Sequence, residues 1–388
     1  MNSSRFRILM LSRFFPPEYS GAALQAISLA KQLRERGHHV EFIAQRWPRL
    51  SPAAVIDGFP VTRLEAGRGE KHRELRYWWN LMKFLVRRRG DFDFLHSHGA
   101  YYTDAIIGLL GPAFGMKTLA KASLANNDLH SIGNSLYGRL HGFMLRRIDA
   151  CIAISRDLEA EFLDAGVGRE KTVFLPNGVD TGRFRPASLE EKNALRIKTG
   201  LPVEQAVALY VGVFDARKNI EWLMQQWHLN DAFGTNALLV AVGPQSRDDP
   251  DGNFKRSIES LAESSPDRLR VVGHTDDIAD YYRAADLFFL PSYREGLPNA
   301  LLEAMACGLP AVAANASGTR ELVHEGETGF LFGIDDPVSL ERAVTQALGP
   351  ASAQLGAAAR NLVERQYSVR QLAVRYEELY TQLLGRSG

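Results

Sequence analysis

Residues 286–310 read DLFFLPSYREGLPNALLEAMACGLP, and the order of elements in this segment indicates the class of fold. The apolar segment DLFFLPS predicts a buried strand, and a helix is predicted to begin near Pro298 and to end at Gly308. Glu295 then lies in the loop before the helix, and Glu303 lies more than one turn inside it. A short apolar strand that leads through a loop into a helix is the repeating unit of α/β proteins.

The same order of short apolar strand and amphipathic helix recurs along the rest of the chain. We therefore predict an α/β fold with two doubly wound, Rossmann-like domains, each built on a parallel sheet. Ligands of such sheets bind at the carboxyl ends of the strands, so two facing domains are expected to enclose a central cleft. The expected strands are RFRILMLS, HHVEFIAQ, DFDFLHSH, KTLAKAS, IDACIAIS and KTVFLPNG, followed in the second domain by AVALYVGVF, ALLVAVG, LRVVGH, DLFFLPS and PAVAA.

The expected linker is the segment PNGVDTGRFRP at residues 176–186, which is rich in turn residues. We predict an N-terminal domain at 1–178, a second domain at 179–366 and a closing helix within 367–388 that packs back on the first domain. The length of 388 residues supports this division, because it is too great for one compact core.

The composition is that of an ordinary soluble globular protein, with 45% hydrophobic and 23% charged residues. Two cysteines, Cys151 and Cys307, are too few for a disulfide framework and lie in apolar segments, so we expect them to be buried in a reducing compartment. The longest uncharged apolar run in the first half, Ala105–Met116, is shorter than the roughly 18 residues that a membrane-spanning helix needs. We therefore expect a cytoplasmic protein.

The net charge of +1 hides an asymmetry between the two halves. Through residue 175 the chain has 25 Lys and Arg against 17 Asp and Glu, and the remainder has 21 against 28. The first half thus carries +8 and the second −7, which predicts two domains that face different partners.

The residues around Glu295 and Glu303 suit a ligand that carries both an anion and hydroxyl groups. Gly296 lets a ligand approach the backbone, and the N–H groups of a first helical turn favour an anion such as a diphosphate. Carboxylates beside that anion can accept hydrogen bonds from the vicinal hydroxyls of a sugar or ribose. The alternative is a capped helix with two solvated glutamates.

The segment EGLPNALLEAMACGLP is similar to the Glu-x7-Glu signature of retaining, nucleotide-sugar-dependent glycosyltransferases with the GT-B fold, and more narrowly to family 4 of that class. The resemblance covers nearly the whole chain and implies transfer of a sugar from a nucleoside diphosphate to an acceptor hydroxyl with retention of configuration. Further matching segments, in the family's order, are GHHV, LHSHG, LPNGVD, VGVFDARKN and GFLF.

The resemblance also assigns roles to individual residues. Glu295 would bind hydroxyls of the donor sugar, and Glu303 would bind the ribose hydroxyls. Arg217 and Lys218 would neutralise the leaving diphosphate, on which negative charge grows in the transition state; taken alone, this pair could also be a solvated loop pair. The other implied donor-binding positions are Gly21, Gly212, Gly273, His274, Thr275, Gly296, Leu297, Pro298 and Asn299.

The sequence departs from the family pattern in the diphosphate loop and after the fifth strand. Gly212-Val213 stands where many members have Gly-Arg, and residues 121–128, KASLANND, stand where a histidine is common. In place of that histidine, the polar candidates for the acceptor side are Ser123, Asn126 and Asp128. Lys121 is either a ligand of a phosphate or acceptor group or a surface lysine.

His96 and His98 end the strand DFDFLHSH, and alternation along a strand predicts that they point to opposite faces. His98, nearer the carboxyl end, is the predicted catalytic residue; the alternative is a histidine whose ring is satisfied by neighbouring backbone. No third ligand lies near the pair, and Asp91-x-Asp93 precedes its strand, at the wrong end of the sheet for a metal-binding DxD motif. We therefore expect no cofactor and no essential metal ion.

The segment Lys71–Arg89 reads KHRELRYWWNLMKFLVRRR, with seven basic residues, one acidic residue and interleaved aromatics. A helix of this composition can lie on an anionic membrane surface. The alternative is a helix that packs its aromatic side chains on the sheet and leaves its arginines in water. We do not expect binding to nucleic acid, because no binding motif accompanies the charge.

Together these observations predict a glycosyltransferase whose partners are a nucleotide sugar and an acceptor glycan or lipid-linked saccharide. We expect it to act in the synthesis of cell-surface polysaccharide or glycolipid, in the cytoplasm and at the inner face of the membrane. Two alternatives stay open: transfer to a soluble small molecule, and a catalytically silent subunit that binds a sugar nucleotide.

Overall fold

The structure is a computed structural model. It describes residues 5–67, 70–125, 128–130, 132, 135–230 and 237–385, and only the backbone of residues 70–73. The chain forms two compact units: unit 1 holds residues 1–178 and 369–388, and unit 2 holds residues 179–368.

Unit 1 is built on a sheet that has eight strands among the described residues, in the order β3-β4-β2-β1-β5-β6-β7-β8. All neighbouring strands are parallel except β3 and β4, which form an antiparallel pair at one edge. The strands are β1 (Arg7–Leu11), β2 (His39–Arg46), β3 (Ala53–Ile56), β4 (Phe59–Glu65), β5 (Phe94–Ser97), β6 (Lys117–Lys121), β7 (Ala150–Ala153) and β8 (Thr172–Phe174). The helices of unit 1 are α1 (Gly21–Glu35), α2 (Glu70–Arg87), α3 (Ile107–Ala113), α4 (Leu136–Arg146), α5 (Arg156–Asp164) and α13 (Val369–Leu383).

The antiparallel hairpin β3-β4 was not among the predicted strands. Its turn is formed by Asp57 and Gly58, which have φ values of 52° and 77°. Asp-Gly between two short β-rich segments is a strong signal for a two-residue hairpin, because both turn residues adopt positive φ. The sequence therefore contained the signal for this hairpin.

The last helix, α13, completes the core of unit 1. Tyr380 is fully buried, and its ring lies 4.5 Å from the Phe94 ring and 6.0 Å from the Phe6 ring. Its hydroxyl also lies 2.8 Å from Nδ1 of His96. The end of the chain thus contributes aromatic packing and a hydrogen bond beneath the carboxyl end of β5.

Unit 2 is built on a parallel sheet that has six strands among the described residues, in the order β11-β10-β9-β12-β13-β14. Its central strands are almost wholly apolar, as expected for strands covered by helices on both faces. The strands are β9 (Ala206–Val211), β10 (Ala237–Val242), β11 (Leu269–Val272), β12 (Leu287–Leu290), β13 (Ala311–Ala314) and β14 (Gly329–Phe332). The helices of unit 2 are α6 (Leu189–Thr199), α7 (Ile220–Leu229), α8 (Asn253–Glu263), α9 (Ile278–Ala284), α10 (Asn299–Ala306), α11 (Pro337–Ala347) and α12 (Ser352–Gln366).

The predicted α/β class with two Rossmann-like, parallel-sheet domains is confirmed. In both sheets the chain first runs outward in one direction and then returns to continue on the other side of the starting strand. This reversal falls between β1 and β5 in unit 1 and between β9 and β12 in unit 2. In open parallel sheets, ligands bind where the strand order reverses, outside the carboxyl ends of the strands.

Candidate functional site

In unit 2, the loops after β9 and β12 meet at the point where the strand order reverses. The loop after β9 begins at Gly212, whose N–H donates to the Val242 carbonyl at 3.0 Å. A Cβ atom on Gly243 would lie only 1.8 Å from the Gly212 carbonyl oxygen, so the ends of β9 and β10 can approach this closely only with glycine at position 243. The two strand ends are therefore held together by backbone packing.

A single turn of 3-10 helix, Ala216–Lys218, carries the two basic residues. The Asp215 carboxylate caps this turn by accepting the Lys218 N–H at 3.1 Å. Asn219 follows with a φ of 55°, and its amide donates to Asp335 at 3.0 Å. The turn is thus fixed at both ends, which orients Lys218.

The loop after β12 is bonded directly to that turn. The Tyr293 N–H donates to the Arg217 carbonyl at 3.0 Å, and the Arg217 guanidinium donates to the Arg294 carbonyl at 2.9 Å. On its other side, Gly318 packs against Gly296: a Cβ on Gly318 would lie 2.4 Å from the Gly296 carbonyl oxygen. Because Gly318 also has a φ of 78°, no other residue suits this position.

Glu295 lies in this loop with its side chain buried beside two cations. Lys218 Nζ lies 2.6 Å from one carboxylate oxygen, and an Arg217 guanidinium nitrogen lies 3.8 Å from the other. Burial alone would raise the pKa of Glu295, but the charges of Lys218 and Arg217 outweigh it and lower the pKa. The carboxylate is therefore ionised at neutral pH although it is buried.

Helix α10 begins directly after this loop. Pro298 is its N-cap residue rather than a first-turn residue, and no side chain caps the helix among the described residues. Gly296, Leu297, Pro298 and Asn299 thus form the approach to an N-terminus whose dipole favours a negative ligand. This is the arrangement that the sequence predicted for a diphosphate.

Glu303 is half-buried on α10. Burial raises the pKa of Glu303 to about 7, although the neighbouring Tyr282 and the charge of Arg183 both act to lower it. At neutral pH the carboxyl group is therefore poised between its neutral and charged forms. The two glutamates of the Glu-x7-Glu pattern thus differ in state: Glu295 is held ionised by cations, and Glu303 is not.

The predicted donor-binding positions Gly273, His274 and Thr275 follow β11. His274 is exposed, and the Thr275 hydroxyl accepts the Asp277 N–H at 3.2 Å. A Cβ on Gly273 would meet nothing within 4 Å, so the backbone there is open. The segment lies at the same edge of the sheet as Lys218 and Glu295, and strand β10 separates it from β9.

In unit 1, the predicted residues also lie at the carboxyl edge of the sheet, around β1, β5 and β6. Gly21 is the first residue of α1, and the Ser20 side chain caps that helix by accepting the Ala23 N–H at 3.3 Å. His98 follows β5, and its N–H donates to the Leu11 carbonyl at 2.8 Å. Gly21 and His98 therefore follow the two strands between which the order reverses.

The prediction that His96 and His98 point to opposite faces is wrong. Their rings stack with centroids 4.5 Å apart. Residues two apart in an extended strand lie on the same side, since side chains alternate with a period of two. The alternative that backbone satisfies His98 is wrong as well, because neither ring nitrogen has a hydrogen-bond partner among the described residues.

The stretch that replaces the family histidine is buried rather than exposed. Lys121 ends β6 and is 6% exposed, so it is not a surface lysine, and burial lowers its pKa to about 7. Asp128 is buried and accepts hydrogen bonds from the N–H and the hydroxyl of Ser123, at 2.6 and 3.1 Å. Burial nevertheless raises the pKa of Asp128 to about 6. Asn126 lies outside the described residues.

Asp104 is a buried acid that the sequence analysis did not single out. Burial raises its pKa to about 7, although Arg13 acts to lower it and Asp128 adds repulsion. A Cβ on Gly99 would lie 2.5 Å from an Asp104 carboxylate oxygen, so the chain after β5 passes directly over this group. The sequence LHSHGAYYTD contained the acid, but only the fold reveals its burial.

Other predicted features have simple structural outcomes. Both cysteines are buried and unpaired. Asp93 binds Arg7 at the amino end of its strand. Within the described residues, no helix is long and apolar enough to cross a membrane. Over the same residues, no group of three or more His, Cys, Asp or Glu side chains could hold a metal ion.

Two protein-family models match the chain and together span most of it. Residues 20–178 match the family described as "Glycosyl transferase 4-like domain", and residues 191–362 match "Glycosyl transferases group 1". The chain belongs to the GT-B glycosyltransferases, of the family 4 type. The predicted membership of family 4 is therefore confirmed, and the protein is a glycosyltransferase enzyme.

Individual relatives agree with this assignment. A D-inositol 3-phosphate glycosyltransferase of Xylanimonas cellulosilytica is 28% identical over 371 residues, which are 86% of each chain. The sucrose-phosphate synthase structure from Thermosynechococcus elongatus has a TM-score of 0.81 at 24% identity and covers 99% of this chain and 100% of its own. Anabaena Alr3699/HepE, in complex with UDP and glucose, has a TM-score of 0.78 at 19% identity, with 97% and 100% covered. At these identities the two solved structures establish the likeness of fold.

The Lys218–Glu295 pair of this glycosyltransferase gives a first prediction. In the variant Lys218→Met, a buried carboxylate loses its closest cation, so the free energy of unfolding at pH 7 should fall by about 3 kcal/mol. In the wild type, the pKa of Glu295 is lower in the folded than in the unfolded protein. Glu295 therefore stabilises the fold at pH values above its unfolded-state pKa, and this stabilisation is lost as the pH falls through the folded-state pKa. In the variant, burial raises the pKa of Glu295, so the deficit against the wild type should shrink by pH 5.

Urea unfolding of both proteins at pH 7 and pH 5 measures this. The matched control is Lys255→Met, which removes a surface pair with Glu259 at 3.4 Å and should cost less than about 1 kcal/mol at either pH. A deficit for Lys218→Met that is as small as the control's would contradict the prediction.

A second prediction concerns Glu303. Its pKa of about 7 lies above the unfolded-state value, so its contribution to stability is complete at acid pH and is lost as the pH rises through 7. Between pH 6 and pH 8, the Tm of the wild type should therefore fall relative to that of Glu303→Gln, which does not titrate. Exposed Glu259→Gln is the control and should follow the wild type; parallel Tm profiles for the wild type and Glu303→Gln would refute the assignment.

Proposed function

We propose that this glycosyltransferase moves a sugar from a nucleoside-diphosphate sugar to an acceptor hydroxyl with retention of anomeric configuration. The observation that carries the proposal is the buried, ionised Glu295 beside Lys218 and Arg217, at the point where the strand order of unit 2 reverses. One small region thus offers two cations and a carboxylate that can accept hydrogen bonds from hydroxyl groups. These are the groups that can bind the diphosphate and the sugar of a sugar diphosphate.

In this proposal, each donor-side residue has a physical task. Glu295 accepts hydrogen bonds from hydroxyls of the donor sugar, and Lys218 and Arg217 offset the charge that grows on the leaving phosphate. The backbone from Gly296 to the start of α10 binds the diphosphate, because a helix N-terminus favours an anion. Once its carboxyl group is ionised, Glu303 accepts hydrogen bonds from the hydroxyl groups of the ribose.

We propose that His98 acts at the reacting centre and that the leaving phosphate itself takes the proton of the acceptor hydroxyl. Proton transfer to the departing phosphate needs no strong protein base. Unit 1 then provides the acceptor side, including Ser123 and Asp128, and the reaction proceeds without a metal ion because Lys218 and Arg217 supply the positive charge.

A third prediction tests the donor. Thermal shifts with UDP, GDP, ADP and dTDP, each with and without a chelator, should show one nucleotide that raises the Tm equally in both conditions. A ligand at 100 times its dissociation constant stabilises by about 2.7 kcal/mol. UDP is the first choice, because the similar structure of Anabaena HepE contains UDP and glucose.

Catalysis is then tested with the responding donor. Glu295→Gln should abolish slow donor hydrolysis, and NMR of a wild-type product should show the anomeric configuration of the donor. No response to any nucleotide, a response that the chelator removes, or an inverted product would each refute the corresponding part of the proposal.

We further propose that the acceptor is a lipid-linked or cell-surface saccharide, met at an anionic membrane surface. In helix α2, Tyr77, Leu81 and Leu85 are buried, whereas Leu75 and Trp79 are exposed. The helix therefore packs one apolar stripe on unit 1 and presents a second one outward. The same outer side carries the basic residues Arg76, Lys83 and Arg87.

Helix α4 presents a second apolar face. Leu136 is 80% exposed, and Tyr137, Leu140 and Phe143 are exposed with it. The Tyr102 ring joins the two helices, since it lies 5.1 Å from the Trp78 ring of α2 and 5.9 Å from the Tyr137 ring of α4. Exposed apolar side chains with basic neighbours on two connected helices suit insertion at a lipid surface.

A fourth prediction tests this surface. Trp79→Ala and Arg87→Glu should each reduce sedimentation with vesicles that contain anionic lipid, and neither should change the Tm response to the donor nucleotide. Arg365→Glu, which reverses an exposed charge on α12 of unit 2, is the matched control. Arg88 is avoided, because it binds Glu41 and Asp91 within unit 1.

If the wild type does not sediment with vesicles, or if both variants sediment as well as the wild type does, the membrane part of the proposal is wrong. A soluble acceptor would then be favoured, in line with the D-inositol 3-phosphate named for the relative from Xylanimonas.

A further inference from the structure

Lys121 is a buried cation for which the described residues provide no counter-ion. It lies at the carboxyl end of β6 with 6% of its surface exposed, and burial is the cause of its lowered pKa. Its Nζ lies 5.9 Å from the centre of the Tyr376 ring of α13. Burying an ammonium group without a carboxylate partner costs free energy, so such a group calls for an explanation.

The side chains next to Lys121 also have polar atoms without hydrogen-bond partners. His98 is 6% exposed, and both its ring nitrogens lack a partner among the described residues; the same holds for Nε2 of His96 and the hydroxyl of Tyr376. The His96 ring lies 4.5 Å from His98 and 5.6 Å from Tyr376, and the charge of Lys121 acts on both histidines. Each unsatisfied buried polar group typically costs about 1–3 kcal/mol.

This group of unsatisfied side chains is rich in donors and lacks an acid. The lysine ammonium and the tyrosine hydroxyl donate, and an imidazole donates from one nitrogen. Two other buried acids of unit 1 interact with different groups: Asp128 accepts a hydrogen bond from the Ser123 N–H, and the charge of Arg13 acts on Asp104. A neutral hydroxyl would leave the charge of Lys121 uncompensated, whereas an anion would satisfy both the charge and the donors.

We propose that Lys121, with His98 and Tyr376, binds a phosphate group carried by the acceptor. This subsite rests on the proposed function, and it deepens that function by naming a chemical feature of the acceptor. The phosphate can come from a soluble phosphorylated sugar or polyol, or from the head group of a lipid-linked saccharide.

The subsite is distinct from the donor's diphosphate site in its residues. The donor cations Lys218 and Arg217 belong to unit 2, and Lys218 is paired with Glu295. Lys121, His98 and Tyr376 all belong to unit 1. The two sites can therefore be addressed separately in a binding experiment.

The experiment is a calorimetric titration of the full chain with inorganic phosphate, in the presence of saturating UDP so that the donor site is occupied. The wild type should bind phosphate, and Lys121→Met should raise the phosphate Kd at least tenfold while leaving the UDP response intact. Lys121→Arg should keep much of the affinity, because it keeps the charge. The matched control is Lys117→Met, on the same strand, where the exposed lysine pairs with Asp149 at 3.3 Å.

A second variant guards against misfolding of the first. Tyr376→Phe keeps the ring and removes only the hydroxyl that lacks a partner, so it should fold and bind phosphate more weakly. The proposal is overturned if the wild type shows no phosphate binding, or if Lys121→Met and Tyr376→Phe both bind phosphate as the wild type does.

Two further arms identify the source of the phosphate. Glycerol 3-phosphate represents a soluble source, and vesicles with phosphatidic acid, compared with phosphatidylcholine alone, represent a lipid source. If the wild type binds in one of these arms and Lys121→Met binds there more weakly, the proposal is supported and the source is assigned. If the wild type binds in both arms and Lys121→Met binds equally well, the proposal is overturned. A failure of UDP to bind would instead count against the donor assignment, and phosphate would then be titrated into the free protein.

Discussion

The ion pair between Lys218 and Glu295 is the interaction on which the geometry of unit 2's candidate site depends. The two residues are far apart in sequence, yet their charged atoms lie 2.6 Å apart in a buried position. A carboxylate can stay ionised there only while its cation remains in contact. The ion pair therefore holds the loops after β9 and β12 together. Two hydrogen bonds add to it: the Tyr293 N–H donates to the Arg217 carbonyl, and the Arg217 guanidinium donates to the Arg294 carbonyl.

The two units have the same strand reversal but differ in how they pair the buried charges near it. In each sheet, the candidate residues follow the strands between which the order reverses, or an adjacent strand. Unit 2 pairs its buried charges, as in Lys218 with Glu295. Unit 1 buries Lys121 and His98 without partners among its described residues. A buried lysine without a counter-ion departs from the usual rule, and such departures are concentrated at functional sites.

Most of the fold, and the edge of the unit 2 sheet at which the candidate residues lie, could be predicted from the sequence, because both depend on local signals. Apolar strands followed by helices predicted two parallel sheets, and parallel strands place the residues after their carboxyl ends at one edge. The sequence therefore predicted Lys218 and Glu295 at the same edge. It could not predict that they touch, since contact depends on which strands are neighbours. The hairpin turn at Asp57 and Gly58 was readable and was missed.

The candidate site of unit 1 was less predictable because it depends on contacts distant in sequence. Nothing local shows that Lys121 is buried or that Tyr376 and Tyr380, near the end of the chain, lie beside His96. These tyrosines make the burial of the histidines possible, since they fill the space beneath β5 with aromatic surface. The same packing removes water from Lys121, so the closing helix α13 both completes the core of unit 1 and creates the unpaired charge that makes this edge suited to an anion.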